Sequence, residues 1–397
     1  MRKAEQERLW TPTYLYLLII IAVTNISSNL IMTAFARYAV ECGISLGFAG
    51  VLTGMFSLVA LVGRPVAGAL ADRFSQRGLM MISVGGIVLS ALLYPFCRTP
   101  ATLFAVRLLH GLFFSLNGTV SMAFASSFVP ASRTGEGMGY FGLCAIVGQA
   151  VAPALGFALA DRYGYNVCFF SVCLLNAIAL FMMFFLQKGK EKPRSRGKKL
   201  AWRDLFLPEL LPYSLFTAAF SMLNGICSSF LALMGEAAGI GNVSIFFTVS
   251  AVVLFFVRPL AGKLNDQNGL GAVTYPGYVF SLISLVLLAL MRSPLLLIGA
   301  AVCKALGQGM AQPAFQAECI RRAGPERRGV AVSMYYLGAD IGNGIAPVVG
   351  GYVADAWGYP ALNLGGAAVM GICILCFFLY QRREKAVGQQ RQAPAEG

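Results

Sequence analysis

Ionisable side chains stand inside long apolar stretches of this sequence, where lipid rather than water is the expected surrounding. Among them are Arg107, His110, Lys304 and Asp340. Because a charge at mid-membrane costs at least ~2.5–3.5 kcal/mol on insertion scales, each charged residue calls for a partner or a function. Asp340 can take up and release a proton, or bind a cationic group of a substrate. The alternative is a structural ion pair with Lys304 or Arg107, since such pairs also perturb buried groups.

The only histidine of the chain offers a second proton carrier. His110 follows Arg107 by three residues, so both side chains lie on one face of a helix. The ordinary pKa of histidine lies near physiological pH, although a neighbouring arginine disfavours the protonated form. We therefore predict that Asp340, Arg107 and His110 take part in proton coupling. A hydrogen-bonded packing histidine remains the alternative for His110.

Polar residues recur at steps of three and four on several apolar segments and so share one helix face on each. Such faces do not point at lipid. The amides among them are Asn25, Asn29, Asn117, Asn224, Gln308 and Gln312, with Asn343 on the face of Asp340. One interpretation is a substrate cavity lined by these amides and Lys304. The other is interhelical hydrogen bonding without a cavity.

The composition indicates that a membrane protein positions these residues. Of 397 residues, 57% are hydrophobic and only 12% are charged, which is about half the charged share of a soluble protein. We predict an all-α integral membrane protein, because the apolar runs are about 20 residues long and do not alternate with period two. The twelve predicted transmembrane helices are 13–36, 45–68, 79–97, 101–125, 137–160, 166–187, 210–233, 242–263, 272–291, 294–318, 330–354 and 360–381.

The basic residues predict the orientation. The net charge of +14 includes 31 Lys and Arg, most of which flank the predicted spans on one side. The positive-inside rule places that side, and both termini, in the cytoplasm. It also accounts for the charge, so no nucleic-acid partner is expected. We predict an N-terminal six-helix bundle over 1–187, a basic cytoplasmic linker over 188–209, and a C-terminal six-helix bundle with a short cytoplasmic tail over 210–397.

The two predicted halves repeat each other at one constant offset. The offset places Arg64-Pro65 on Arg258-Pro259, Asp72 on Asp266, His110 on Lys304 and Gly148 on Gly342. A repeat of this size in a membrane protein is typical of two pseudo-symmetric bundles that move against each other in a transporter. Asp340 falls on Ile146, so the fold does not require the acid. The sequence contains no P-loop, zinc motif or catalytic triad, and an enzyme is not predicted.

Motifs within this repeat resemble those of the major facilitator superfamily, and the likeness covers nearly the whole chain. Segment 68–77 is similar to the family's loop motif between the second and third helices, and 262–271 is a degraded copy of it. Segment 107–111 resembles the fourth-helix motif. Segment 148–156 is similar to the fifth-helix motif of antiporters, and 135–142 is similar to a run found in bacterial exporters.

The resemblance implies roles for residues of these motifs. A gate that stabilises the outward-facing state on the cytoplasmic side is implied for Gly68, Asp72, Arg73 and Arg77, with Asp72 at the N-terminal end of a neighbouring helix. Hinge and packing positions are implied for Gly148, Pro153, Gly156, Gly342 and Pro347. The resemblance also places the polar stripes around a central cavity.

A secondary active transporter is the function that these features predict. The titratable groups inside the spans and the antiporter-like fifth-helix segment favour proton-coupled export of a small molecule, a drug-like compound or a metabolite, across the bacterial cytoplasmic membrane by alternating access. The expected partners are that small molecule, protons and membrane lipids; we expect a monomer, with no cofactor and no metal. One alternative is a proton symporter or uniporter that imports an anionic or polar nutrient. Another is a non-transporting membrane sensor on the same fold.

Overall fold

The chain is almost entirely helical in the computed structural model, which describes residues 8–44, 46–186, 205–240 and 242–392. Residues 188–204 of the predicted linker lie outside these ranges. The described ranges hold eleven α-helices: α1 (Pro12–Glu41), α2 (Leu46–Arg73), α3 (Gln76–Leu93), α4 (Pro100–Ser127), α5 (Thr134–Tyr163), α6 (Tyr165–Phe184), α7 (Leu211–Ala237), α8 (Ser244–Asn268), α9 (Leu270–Ala289), α10 (Pro294–Ala323) and α11 (Arg328–Gln392).

Most of these helices have the length and hydropathy of membrane spans. Within the described ranges, nine helical stretches are long and apolar enough to cross a bilayer. Each predicted span overlaps a helix, which confirms an all-α membrane fold. The predicted spans 330–354 and 360–381 both fall in α11. Gly358 interrupts that helix with φ 79° and ψ 170°, so two helices follow each other there with one residue between them.

Such one-residue joints recur at repeat-related positions. Gly164, at φ 83° and ψ 165°, separates α5 from α6 and is the repeat partner of Gly358. Glycine adopts a positive φ without the steric penalty of a Cβ atom. The junction of α2 and α3 has no positive φ: Ser75 has φ −60°, and its side chain caps α3.

The helices that carry Arg107 and Lys304 begin with the same cap. Thr99 precedes α4 and Ser293 precedes α10, and each is followed by proline at the first helical position. The hydroxyl oxygen of Ser293 accepts a hydrogen bond from the backbone N–H of Leu296 at 3.4 Å. Proline suits this position because the N–H it lacks would have no helical acceptor. These starts fix where both cations lie along their helices.

Helix packing decides which polar faces meet. α1 packs on α5 in the first half, and its counterpart α7 packs on α11 in the second. A Cβ at Gly148 would lie 2.9 Å from the carbonyl oxygen of Asn25, and one at Gly342 would lie 2.1 Å from that of Ala218, so both approaches need glycine. The two halves touch mainly where α2 packs on α11 and where α5 packs on α8. The repeat relates α2 to α8 and α5 to α11, so each contact is the counterpart of the other.

Candidate functional site

An ion pair joins the two halves at residues that lie within two predicted membrane spans, 45–68 and 330–354. Arg64 on α2 donates from Nε to Oδ2 of Asp340 on α11, and from Nη2 to Oδ1 at 3.2 Å. The guanidinium also lies 4.1 Å from the ring centroid of Tyr336. The two charged side chains are 7% and 17% exposed. The pair is therefore largely shielded from solvent, and the carboxylate keeps the more open edge.

The partner of Asp340 differs from both sequence-based alternatives, which were Lys304 and Arg107. The acid binds Arg64 because α2 is the helix of the first half that packs most extensively on this part of α11. In the sequence, Arg64 served only as a marker of the repeat. Its place inside the predicted span 45–68 was a usable indication, since a cation there also needs a partner.

The repeat partner of Arg64 also bridges the halves. Arg258 on α8 donates from Nη1 to the carbonyl oxygen of Gly142 on α5 at 3.0 Å. Its Nη2 donates to Oε1 of Gln312 on α10 at 2.9 Å. Since Ile146 stands where Asp340 stands in the other repeat, neutral acceptors hold this second bridge. Of the two arginine bridges, only the α2–α11 bridge has a titratable acceptor.

A polar network in the second half connects three helices around Lys304. The Nζ atom of Lys304 donates to Oδ1 of Asn224 on α7 at 3.1 Å. The amide of Asn224 in turn donates to Oδ1 of Asn343 on α11 at 3.2 Å. Lys304 is 5% exposed, and Gln308, one turn further along α10, is 9% exposed. Three of the sequence-predicted cavity residues of this half therefore lie together, whereas Gln312 accepts a hydrogen bond from Arg258.

Arg107 and His110 are fully buried within the first six helices. Nε of Arg107 donates to the carbonyl oxygen of Leu52 at 3.3 Å, and its guanidinium lies 4.1 Å from the ring centroid of Phe35. Nδ1 of His110 is 3.1 Å from the hydroxyl oxygen of Tyr94, directly after α3. This geometry favours the packing alternative for His110.

The amides of the first half bond within that half. Asn25 and Asn29 donate to carbonyl oxygens one turn earlier on α1, at 2.8 and 2.9 Å, and both remain half-buried. Asn117 on α4 accepts hydrogen bonds from Ser83 on α3 at 3.2 Å and from Ser121 at 3.3 Å. Interhelical bonding, the alternative to a cavity, thus describes Asn117.

A carboxylate caps the start of α11. Asp72, near the end of α2, accepts hydrogen bonds from the backbone N–H groups of Gly329 and Val330 at 2.7 and 2.9 Å. First-turn N–H groups have no acceptor within their own helix. Gly68 makes the approach possible, because a Cβ there would lie 2.6 Å from the carbonyl oxygen of Gly329. We call this contact the first latch.

The repeat supplies a second latch that sequence reasoning missed. Asp266 on α8 accepts hydrogen bonds from the backbone N–H groups of Gly135 and Glu136 at 2.8 and 2.9 Å, at the start of α5. In the sequence, segment 262–271 is a degraded copy of the loop motif, because the basic residues after the acid are missing from it, and no contact is predicted for Asp266. The acid itself was the indication, since a negative charge is stabilised at a helix N-terminus.

The other predicted gate and hinge residues have varied surroundings. Arg77 donates to the carbonyl oxygen of Phe184 at 2.8 Å, a contact between α3 and α6 within the first half. Arg73 ends α2 and is half-buried, and Gly156 is buried in α5. Pro153 and Pro347 occupy positions of α5 and α11, and their side chains lie outside the described part of the structure.

Comparison with known sequences gives a consistent family. The family model of the Major Facilitator Superfamily matches residues 17–332 and 277–396. An uncharacterized MFS-type transporter of Burkholderia mallei is 27% identical over 360 residues, covering 88% of this chain and 87% of the relative. Another, of Methanocaldococcus jannaschii, is 24% identical over 347 residues, covering 84% and 89%.

Solved structures share the fold at low identity. The human organic anion transporter MFSD10 (TETRAN) has a TM-score of 0.81 at 14% identity, with 92% of this chain and 99% of that chain covered. FucP in its outward conformation has a TM-score of 0.73 at 14% identity, with 93% and 98% covered. With a family model across most of the sequence and relatives along its length, this chain belongs to the major facilitator superfamily of membrane transporters.

Proposed function

We propose that this transporter couples proton movement to the export of a small molecule by alternating access. The Arg64–Asp340 ion pair carries the proposal, because it joins the two halves through a group that can be protonated. In the proposed architecture, twelve membrane helices form two six-helix bundles, 1–187 and 210–397, connected by the basic linker 188–209. Both termini lie on the cytoplasmic side of a bacterial cytoplasmic membrane.

The charge on Asp340 sets the strength of the α2–α11 contact. An ionised carboxylate attracts the Arg64 guanidinium more strongly at a shielded site than at an exposed surface. Protonation removes that attraction, so α2 and α11 separate more readily. Loss of the proton restores the pair. Proton binding therefore shifts the equilibrium between two conformations, which is what coupling requires.

The two latches define which side is closed. Both lie at the end of the molecule that the positive-inside rule assigns to the cytoplasm. With both latches formed, the halves meet on that side, so this conformation opens outward, as both exporters and importers do in one part of their cycle. The export direction rests on the antiporter-like segment 148–156.

The test is proton flux in proteoliposomes under an imposed pH gradient. Ethidium, benzoate and methyl glucoside serve as cationic, anionic and neutral probes. We expect one probe class to trigger proton release from wild type, and Asp340→Asn to abolish that release because its side chain cannot ionise. Asp355→Asn, an exposed acid on the same helix, is the control and should behave as wild type. Full substrate-dependent flux in Asp340→Asn would overturn the assignment.

A second candidate is import of an anionic or polar nutrient by symport or uniport. The buried cation Lys304 favours it, and the E. coli FucP among the structural neighbours is a fucose:proton symporter. The same assay separates the candidates, because symport moves protons in the direction of the probe and antiport moves them against it. A non-transporting sensor predicts probe binding without any flux.

A further inference from the structure

The membrane spans contain an excess of buried positive charge. Leaving aside the last residues at the span ends, the twelve predicted spans carry four basic side chains and one acidic side chain. The basic ones are Arg64, Arg107, Arg258 and Lys304, and the acid is Asp340. Since each cation is costly in the membrane interior, the excess calls for an explanation beyond topology.

The partners of these cations are unequal. Asp340 neutralises Arg64, and Arg258 donates to two neutral acceptors that bridge helices. Arg107 is held by the Leu52 carbonyl oxygen and the Phe35 ring. For Lys304, no carboxylate of the described residues lies within ion-pair distance. Of the four cations, the Lys304 ammonium is the one with neither a carboxylate nor a second hydrogen-bond acceptor among the described residues.

The geometry around Lys304 is that of an incomplete binding site. Its Nζ atom has three N–H donors, and Asn224 accepts from one of them at 3.1 Å. The Phe246 ring centroid lies 5.9 Å away and supplies only a weak interaction. Gln308, four residues further on the same face of α10, has a buried Oε1 atom without a hydrogen-bond partner in the described structure. Its carboxamide can turn to present N–H donors instead.

The fold does not impose this cation. At the repeat-related position of the first half stands His110, which bonds to Tyr94 and needs no charge. Lys304 also lies in a network that reaches Asn343, on the same helix as Asp340. The site is therefore next to the helix that forms the titratable bridge.

We propose that the transported molecule carries a carboxylate, which Lys304 binds as an ion pair with Gln308 and Asn343 as supporting hydrogen-bond donors. The inference rests on the proposed transport function and names its substrate class. The carboxylate of the substrate supplies the negative charge that no described residue of the protein places beside Lys304. Binding therefore neutralises a buried ammonium that is otherwise costly. A neutral amide of the same shape leaves the ammonium uncompensated.

The experiment measures thermal stabilisation of purified wild type by carboxylate and amide pairs. The probes are benzoate with benzamide, salicylate with salicylamide, and succinate with succinamide, at constant ionic strength set with chloride. We expect at least one carboxylate to raise Tm by ~2 °C or more, and its amide to leave Tm unchanged. Lys304→Met should lose this shift. The control is Lys263→Met, which removes an exposed lysine in the same half and should retain the shift.

A second measurement needs no substrate. If Lys304 awaits an anion, Lys304→Met relieves an uncompensated charge and raises the Tm of the empty protein. A purely structural lysine predicts a lower Tm instead, and that result overturns the proposal. Equal shifts by carboxylates and amides, or no shift by any carboxylate, overturn it as well. Because no proton gradient is present, proton coupling can fail while anion binding stands, and the reverse.

Discussion

The Arg64–Asp340 ion pair stabilises the protein only while both charged partners are present. Removing one partner of a buried ion pair leaves an uncompensated charge and typically costs ~3–5 kcal/mol, whereas removing both often costs little. Because Asp340 is 17% exposed, we expect the lower end of that range. Arg64→Gln and Asp340→Asn should each lower the free energy of unfolding, and the double variant should recover most of the loss. Denaturant unfolding in detergent measures the cycle.

The matched control is the pair Arg133–Glu136. Its arginine is 32% exposed, so solvent screens the interaction. The corresponding cycle should give a coupling of less than about 1 kcal/mol. Equal coupling energies for the two pairs would contradict a special role for the α2–α11 bridge.

At the scale of residues, sequence reasoning found the acid but not its partner. The spacing along one helix fixes the face on which Asp340 lies. It does not say which helix of the other half covers that face, because that depends on tertiary packing. Both Arg64 and Asp266 could have been found by asking, for every charge near or inside a span, which group it contacts.

Glycines on α11 test how closely the helices of one half must pack. Gly342 faces α7, where a Cβ would lie 2.1 Å from the carbonyl oxygen of Ala218, while at Gly344 nothing lies within 4 Å. We expect Gly342→Ala to destabilise the protein by ~1–3 kcal/mol through overpacking. Gly344→Ala should be neutral or slightly stabilising, since alanine is the better helix former. Thermal unfolding and yield of monodisperse protein measure both.

A lower stability for both variants would point to a property of glycine itself rather than to helix contact. An unchanged stability for Gly342→Ala would mean that α7 and α11 can move apart at no cost.

At the scale of elements, apolar runs and the repeat predicted the helices well, because lipid demands long continuous helices. The boundaries were less accessible. The predicted interval 355–359 narrows in the structure to a one-residue joint at Gly358, and the end of the predicted span 79–97 is a short 3₁₀ turn, Tyr94–Phe96, that follows α3. Both depend on local backbone angles that hydropathy does not encode.

For the whole molecule, the two latches should open together if the halves move as rigid bodies. Asp72 binds the first-turn amides of α11, and Asp266 binds those of α5. Asp72→Asn weakens one latch by ~1 kcal/mol through loss of the negative charge at a helix N-terminus. We then expect faster hydrogen exchange, by roughly fivefold, at residues 329–330 and also at 135–136. Mass spectrometry of the two peptides measures this.

Asp355→Asn is the control, since that acid is exposed and far from both latches in sequence. Faster exchange confined to 329–330 would show that the latches open independently. Such a result would exclude rigid-body rocking as the motion that links them.

The joints at Gly164 and Gly358 bear on how the chain enters the membrane during synthesis. A single residue spans at most ~3.6 Å when extended, whereas the hydrocarbon layer is about 30 Å thick. The first helix of such a pair therefore cannot settle across the bilayer while the second remains in the aqueous exit path. We therefore expect the helices on either side of Gly358 to enter the lipid as one hairpin, and likewise α5 and α6. The insertion machinery would then have to release both helices of each pair into the bilayer together, with the turn between them crossing first.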